Sequence, residues 1–201
     1  MALVRRLHRR AVLSALALAL TIPAIAQAGH AGILDSIRID NFGRVSDILY
    51  RGAQPSGRDY ADLAALGVKT VIDLQEYGET DERAMVEKSG MQYVNIKMTT
   101  RIVPTDKQVE QFLSIVNDPA KQPVYVHCAG GRHRTGVMTA IYRMADEGWT
   151  SERAFKEMKQ YRFGADYLHP EFKKFVYAYH PLTTPAETPA VLATTIVAPV
   201  N

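Results

Sequence analysis

Apolar positions along this chain change period repeatedly, from the two-residue alternation of strands to the three-and-four spacing of helices. Ile48 to Arg51 and the β-branched run Val68 to Leu74 predict strands, as do Met91 to Ile96 and Pro123 to His127. Helical patterns stand between them. Arg58 to Leu66 ends at Gly67, and a charged segment from Glu79 to Ser89 stops at Gly90. A third opens at Thr105, with Gln108 completing a capping box and Val109, Phe112, Leu113 and Val116 as its apolar stripe. After His127, Val137, Ala140, Ile141 and Met144 line a helix stopped by Gly148. Thr150 caps another, with Ala154, Met158 and Tyr161 on one face, and Pro170 opens a last one with Phe172, Phe175, Val176 and Tyr179 inward. Strands alternating with helices predict an α/β fold, a mostly parallel central sheet of about four to five strands flanked by helices. Such folds bind ligands at the carboxyl ends of their strands.

The two ends of the 201-residue chain do not follow this alternation. Arg5, Arg6, Arg9 and Arg10 precede an apolar run from Ala11 to Ile25, and Ala26-Gln27-Ala28 follows. That order predicts a secretory signal peptide over 1–28, cleaved after Ala28, in place of a retained membrane anchor. The paired arginines leave the general and twin-arginine export routes both open. Residues 29–46 read as a lead-in with turn material at Asn41-Phe42-Gly43, 47–180 as one domain, and 181–201 as a flexible Thr/Pro/Ala tail. The leader also changes the charge argument. The chain has 24 Lys+Arg and 21 Asp+Glu, and four of the arginines and none of the acids lie in 1–28, so the remainder carries 20 minus 21, or −1. The basic balance is thus a property of the leader and does not point to a nucleic-acid partner. The expected compartment is periplasmic or extracellular, without stable membrane insertion after cleavage.

Candidate chemistry concentrates in Val124-Tyr125-Val126-His127-Cys128-Ala129-Gly130-Gly131-Arg132-His133-Arg134-Thr135-Gly136. The one cysteine of the chain follows a strand, two glycines allow a tight turn, and a helix starts near Arg134. A phosphate dianion needs many inward donors. Loop N–H groups and a helix N-terminus supply them, and an arginine can grip two oxygens at once. The same positive field favours the thiolate, which is the nucleophilic form. Cys128 is therefore the candidate nucleophile, and Arg134 the candidate phosphate ligand and transition-state stabiliser. Ala129, Gly130, Gly131, Arg132, His133 and Arg134 form the candidate phosphate-binding set.

This run resembles the cysteine-dependent tyrosine and dual-specificity phosphatases, whose signature is His-Cys, five residues, Arg, then Ser or Thr. The resemblance covers roughly residues 42–179 and includes Leu49-Tyr50-Arg51-Gly52-Ala53-Gln54-Pro55 and Leu66-Gly67-Val68-Lys69-Thr70-Val71-Ile72-Asp73-Leu74. Gly131-Arg132-His133-Arg134-Thr135-Gly136 is most similar to the atypical plant-and-fungal branch, which includes inositol pyrophosphate phosphatases, and to exported bacterial relatives. It implies that Thr135 assists the departing thiolate and that His127 orients the loop and helps stabilise the thiolate. It implies a phosphorylated small-molecule or protein substrate, of phosphotyrosine or inositol (pyro)phosphate type, and neither cofactor nor metal.

The family's general acid is an Asp on a loop roughly thirty residues before the cysteine. Asn95 to Pro104 holds no carboxylate, which leaves Asp106, in the first turn of a helix, as the candidate, with Asp73 and Glu76 behind it. Arg132 and His133, with Lys97 and Arg101 from the neighbouring loop, are candidate ligands for further phosphates, and Tyr161, Phe163 and Tyr167 are candidate pocket walls. Two other uses of the motif remain open here: a sulfurtransferase or arsenate reductase working through the same thiolate, and a phosphate-binding module without turnover.

Overall fold

The computed structural model describes Leu34, residues 36–78 and residues 80–181. Its sheet has five strands in the order β1-β2-β5-β3-β4: β1 Gly43–Arg44, β2 Leu49–Gly52, β3 Thr70–Gln75, β4 Gln92–Met98 and β5 Val124–His127. All neighbouring pairs are parallel except β1 with β2. The helices are α1 Asp59–Ala65, α2 Glu82–Lys88, α3 Asp106–Val116, α4 Arg134–Ala145, α5 Ser151–Gln160 and α6 Pro170–Ala178. The capping box at Thr105 and Gln108 is formed, and the Thr150 hydroxyl accepts the Arg153 N–H at the start of α5.

β2, β3 and β5 are buried along their whole lengths, because both faces are covered. Leu49, Ile72, Val124 and Val126 pack into a core with α3, α4, α5 and α6. Tyr50, Val71 and Tyr125 face the opposite way, toward α1, α2 and the N-terminal segment.

Strand β1 falls inside the stretch expected to be a lead-in. Gly43 pairs with Arg51, and Ile37, Ile39 and Val45 are buried, so the packed unit starts before residue 47. Two residues are too few for a strand period to show. The expected signal peptide and the tail beyond Pro181 lie outside the described residues. No helix among the described residues is long and apolar enough to cross a membrane.

Register sets the site. His127 at the end of β5 lies level with Gly52 of β2 and Asp73 of β3. The segments leaving these strands therefore converge at one edge, around Cys128.

Candidate active site

The loop from Cys128 to Arg134 is shaped by what its carbonyls do. The Ala129 carbonyl accepts the Gln54 N–H at 3.2 Å. Asn41 Nδ2 donates to the carbonyls of Gly131 at 2.9 Å and Gly130 at 3.4 Å, and Arg51 Nη2 donates to Gly131 at 2.7 Å. With these oxygens tied to surrounding protein, the loop N–H groups are free to converge on an anion, as an anion-binding nest requires. Gly131 is at φ +63°, and a Cβ there would stand 2.4 Å from the Gly52 carbonyl carbon. Only glycine permits both the turn and the approach to β2.

Cys128 is 3% exposed. Burial alone would push its thiol up. The Thr135 hydroxyl and N–H, the Arg134 charge and the Arg132 N–H outweigh that, and the thiol sits below its ordinary value. The Thr135 hydroxyl is itself buried, with no aligned hydrogen-bond partner among the described residues. Arg134 begins α4, and its Nη1 donates to the carbonyls of Met98 at 3.1 Å and Leu74 at 3.3 Å. These bonds anchor the guanidinium at the ends of β3 and β4, beside the loop.

Behind the loop, His127 is fully buried. Its ring stacks on Tyr125 at 5.7 Å, Nε2 lies 2.9 Å from a Glu82 oxygen, and Nδ1 lies 4.0 Å from Asp73 Oδ1. Arg51 is also fully buried, between Thr139 Oγ1 at 2.9 Å and the Tyr161 ring at 3.9 Å. Burial lowers its guanidinium to about 10, which leaves it protonated near neutral pH.

The remaining expected site residues separate. Arg132 is exposed, and its side chain folds back across Gly130 at the rim. The His133 ring contacts the Phe163 carbonyl at 3.0 Å and lies 3.8 Å from the His169 ring. Burial and His169 hold its pKa below the ordinary imidazole value. Tyr161 supports Arg51, Phe163 is core, and Tyr167 is exposed.

Asp106 lines a groove with Val109, Leu113, Asp146, Phe175 and Tyr179, and no residue of the Cys128–Arg134 loop lines it. Asp73 is spent on structure: it accepts from the Gln75 N–H, the Tyr93 hydroxyl and the Asn95 amide. Burial and Asp73 push the Tyr93 hydroxyl pKa up. Glu76 is exposed beyond β3, and Lys97 and Arg101 are exposed on the other side.

Two shallow clefts flank the loop. One is lined by Gln54, Gln75, Tyr77, Thr80 and Ala129, and the other by Thr100, Arg101, Leu168, His169 and Glu171. Asn41, Arg51, Glu82 and His169 are the residues sequence reasoning missed. A charged residue inside the short strand Leu49–Gly52 was the one available signal, for Arg51.

Residues 36–173 match the family described as a DSP-PTPase phosphatase fused to NAD+ kinase. The chain belongs to this family. Among curated relatives, it is 31% identical over 124 residues to the dual specificity protein phosphatase TpbA of Pseudomonas aeruginosa, covering 62% of this chain and 56% of that one. It is 25% identical over 150 residues to the inositol diphosphatase SIW14 of Saccharomyces cerevisiae, covering 71% and 53%. The chain thus spans about half the length of these curated relatives. The crystal structure of TpbA superposes with a TM-score of 0.61 at 27% identity, covering 70% of this chain and 86% of that one. The SIW14 catalytic core gives 0.63 at 23%, covering 71% and 87%, which supports the same phosphatase fold.

Proposed function

We propose that this chain is a phosphatase that hydrolyses phosphate esters or anhydrides through a cysteinyl-phosphate. The observation that carries the reading is the loop itself: a thiol held below its ordinary pKa, at the base of a turn whose carbonyls are tied away from it. The Cys128 thiolate attacks phosphorus, the bond to the leaving oxygen breaks, and that oxygen leaves with the electron pair. Water then attacks the cysteinyl-phosphate, the S–P bond breaks, inorganic phosphate departs, and the thiolate returns. Arg134 and the loop N–H groups hold the equatorial oxygens through both steps. The Thr135 hydroxyl stabilises the sulfur as it leaves.

Substrates follow from the leaving group. The loop from Thr99 to Pro104 carries no carboxylate, and Asp106 faces a separate groove. A leaving group whose conjugate acid is acidic, as from an anhydride or an aryl ester, departs as a weakly basic anion and needs least protonation. This supports inositol pyrophosphate or phosphotyrosine substrates over alkyl monoesters. A Cys-to-Ser variant of TpbA has been crystallised in complex with pTyr and SIW14 is named an inositol diphosphatase, which is consistent with both classes.

Cys128→Ser is the test. A serine hydroxyl in this cradle is not ionised near neutral pH, so turnover of an aryl phosphate should vanish while phosphate binding survives. Rapid quench of the wild type should trap a phosphoenzyme. Activity within about tenfold of wild type in the mutant would remove Cys128 from the mechanism.

The leader supports export, and the enzyme is proposed to act outside the cytoplasm. N-terminal sequencing of the exported protein should start near Gly29. Recovery of Met1 from the cytoplasm would contradict it.

A further inference from the structure

Glu82 is the first residue of α2, where an acidic side chain usually faces solvent beside the helix N-terminus. Here it is fully buried and lies 2.9 Å from His127 Nε2, the ring immediately before the nucleophile. Neither carboxylate oxygen of Glu82 reaches an aligned hydrogen-bond donor among the described residues, and its approach to His127 Nε2 is close without being an aligned hydrogen bond. Asp73 is near Nδ1 at 4.0 Å, but its oxygens are already occupied by Gln75, Tyr93 and Asn95. Among the described residues Glu82 has no such partners, and His127 is what it meets.

An ionised carboxylate only accepts hydrogen bonds. A bare Nε2 lone pair against it, without solvent, would be repulsive, and a protonated Nε2 makes the same contact favourable. We propose that Glu82 is a positioning residue of the phosphate loop. It keeps the proton on His127 Nε2, so the ring stays fixed against Tyr125 and the backbone entering Cys128 stays in place. The effect on turnover rests on the phosphatase reading above; the tautomer does not. Asp73, Glu82 and His127 also bring one ligand atom each within 4.8 Å of one another, so a divalent ion on Nε2 is the competing occupant.

The first arm of the experiment is long-range 15N–1H NMR of the histidine rings in the full chain, with elemental analysis of the same sample. The expected result is a protonated His127 Nε2 without stoichiometric metal. A bare or metal-bound Nε2 overturns the proposal whether or not the protein is active. The second arm is Glu82→Gln, which keeps the volume but can present its amide NH2 as readily as its carbonyl. It should mix the two tautomers, lower kcat on an aryl phosphate roughly tenfold and move KM less than about twofold. In a His127→Asn background the same change should add less than about twofold, because Glu82 acts through the ring. Fully additive losses would overturn it. If the variant fails to fold, the wild-type tautomer still decides.

Discussion

The loop from Cys128 to Arg134 and the loop from Thr99 to Pro104 border the same site and are built differently. The first is clamped: Asn41, Arg51 and Gln54 take its carbonyls, and Arg134 reaches the ends of β3 and β4. The second is tied by one bond across its base and one within it. Gln108 donates to the Lys97 carbonyl, and the Thr99 hydroxyl accepts from the Ile102 N–H. Its side chains Thr100, Arg101 and Ile102 are exposed, and it offers no acid. The loop proposed to attack phosphorus has three of its carbonyls bound to surrounding protein, whereas the neighbouring loop offers no carboxylate to protonate a leaving group. On the proposed mechanism, the contrast assigns binding and displacement to the clamped loop and leaves selectivity to the chemistry of the leaving group.

Substitutions in the clamped loop should be the most damaging after loss of the nucleophile itself. Arg134→Lys keeps the charge and loses the planar fork, and kcat should fall roughly 10²-fold or more. A near-normal rate in steady-state assays would show that charge alone suffices.

Arg51→Met tests the clamp from outside the motif. It leaves the Gly131 carbonyl with the Asn41 amide as its remaining donor while relieving a buried charge, so denaturant unfolding should show a net loss of about 1–3 kcal/mol. With the loop loosened, kcat should drop by roughly tenfold at substrate saturation. Unchanged stability and rate together would mean that the Asn41 bond alone holds the turn.

The smallest effect is expected where the second loop meets α3. Asp106→Asn should alter kcat by less than about twofold on both a phenyl phosphate and a more acidic aryl phosphate, because its groove excludes the phosphate loop. A loss of about 10²-fold confined to the poorer leaving group would make Asp106 the general acid and erase the contrast between the loops.

Much of this was legible in sequence for a simple reason: Cys128, the loop N–H groups, Arg134 and Thr135 come from one continuous span, so spacing alone brings them together. The same holds for the Thr105–Gln108 box and the Thr150 cap, which are local by nature. The supports were not legible. Arg51 and Asn41 reach Gly131 across 80 and 90 positions, and only the β2–β5 pairing and the short β1 hairpin bring them there. Glu82 carried a misleading signal, since an acid in the first turn of a helix is ordinarily explained by the dipole. The acid candidates Asp73 and Asp106 were named by type and position in the chain. What separates them is direction, into the sheet edge for one and into an outer groove for the other.

A lone thiol that is also the proposed nucleophile makes the protein its own counting device. Any thiol-directed reporter, whether a fluorophore, a mercurial or a mass tag, has one place to go. A value below one equivalent measures the share whose thiol is oxidised or shielded from the reagent. Protection by inorganic phosphate then becomes a binding isotherm for the cradle, read without a substrate and before the natural one is known.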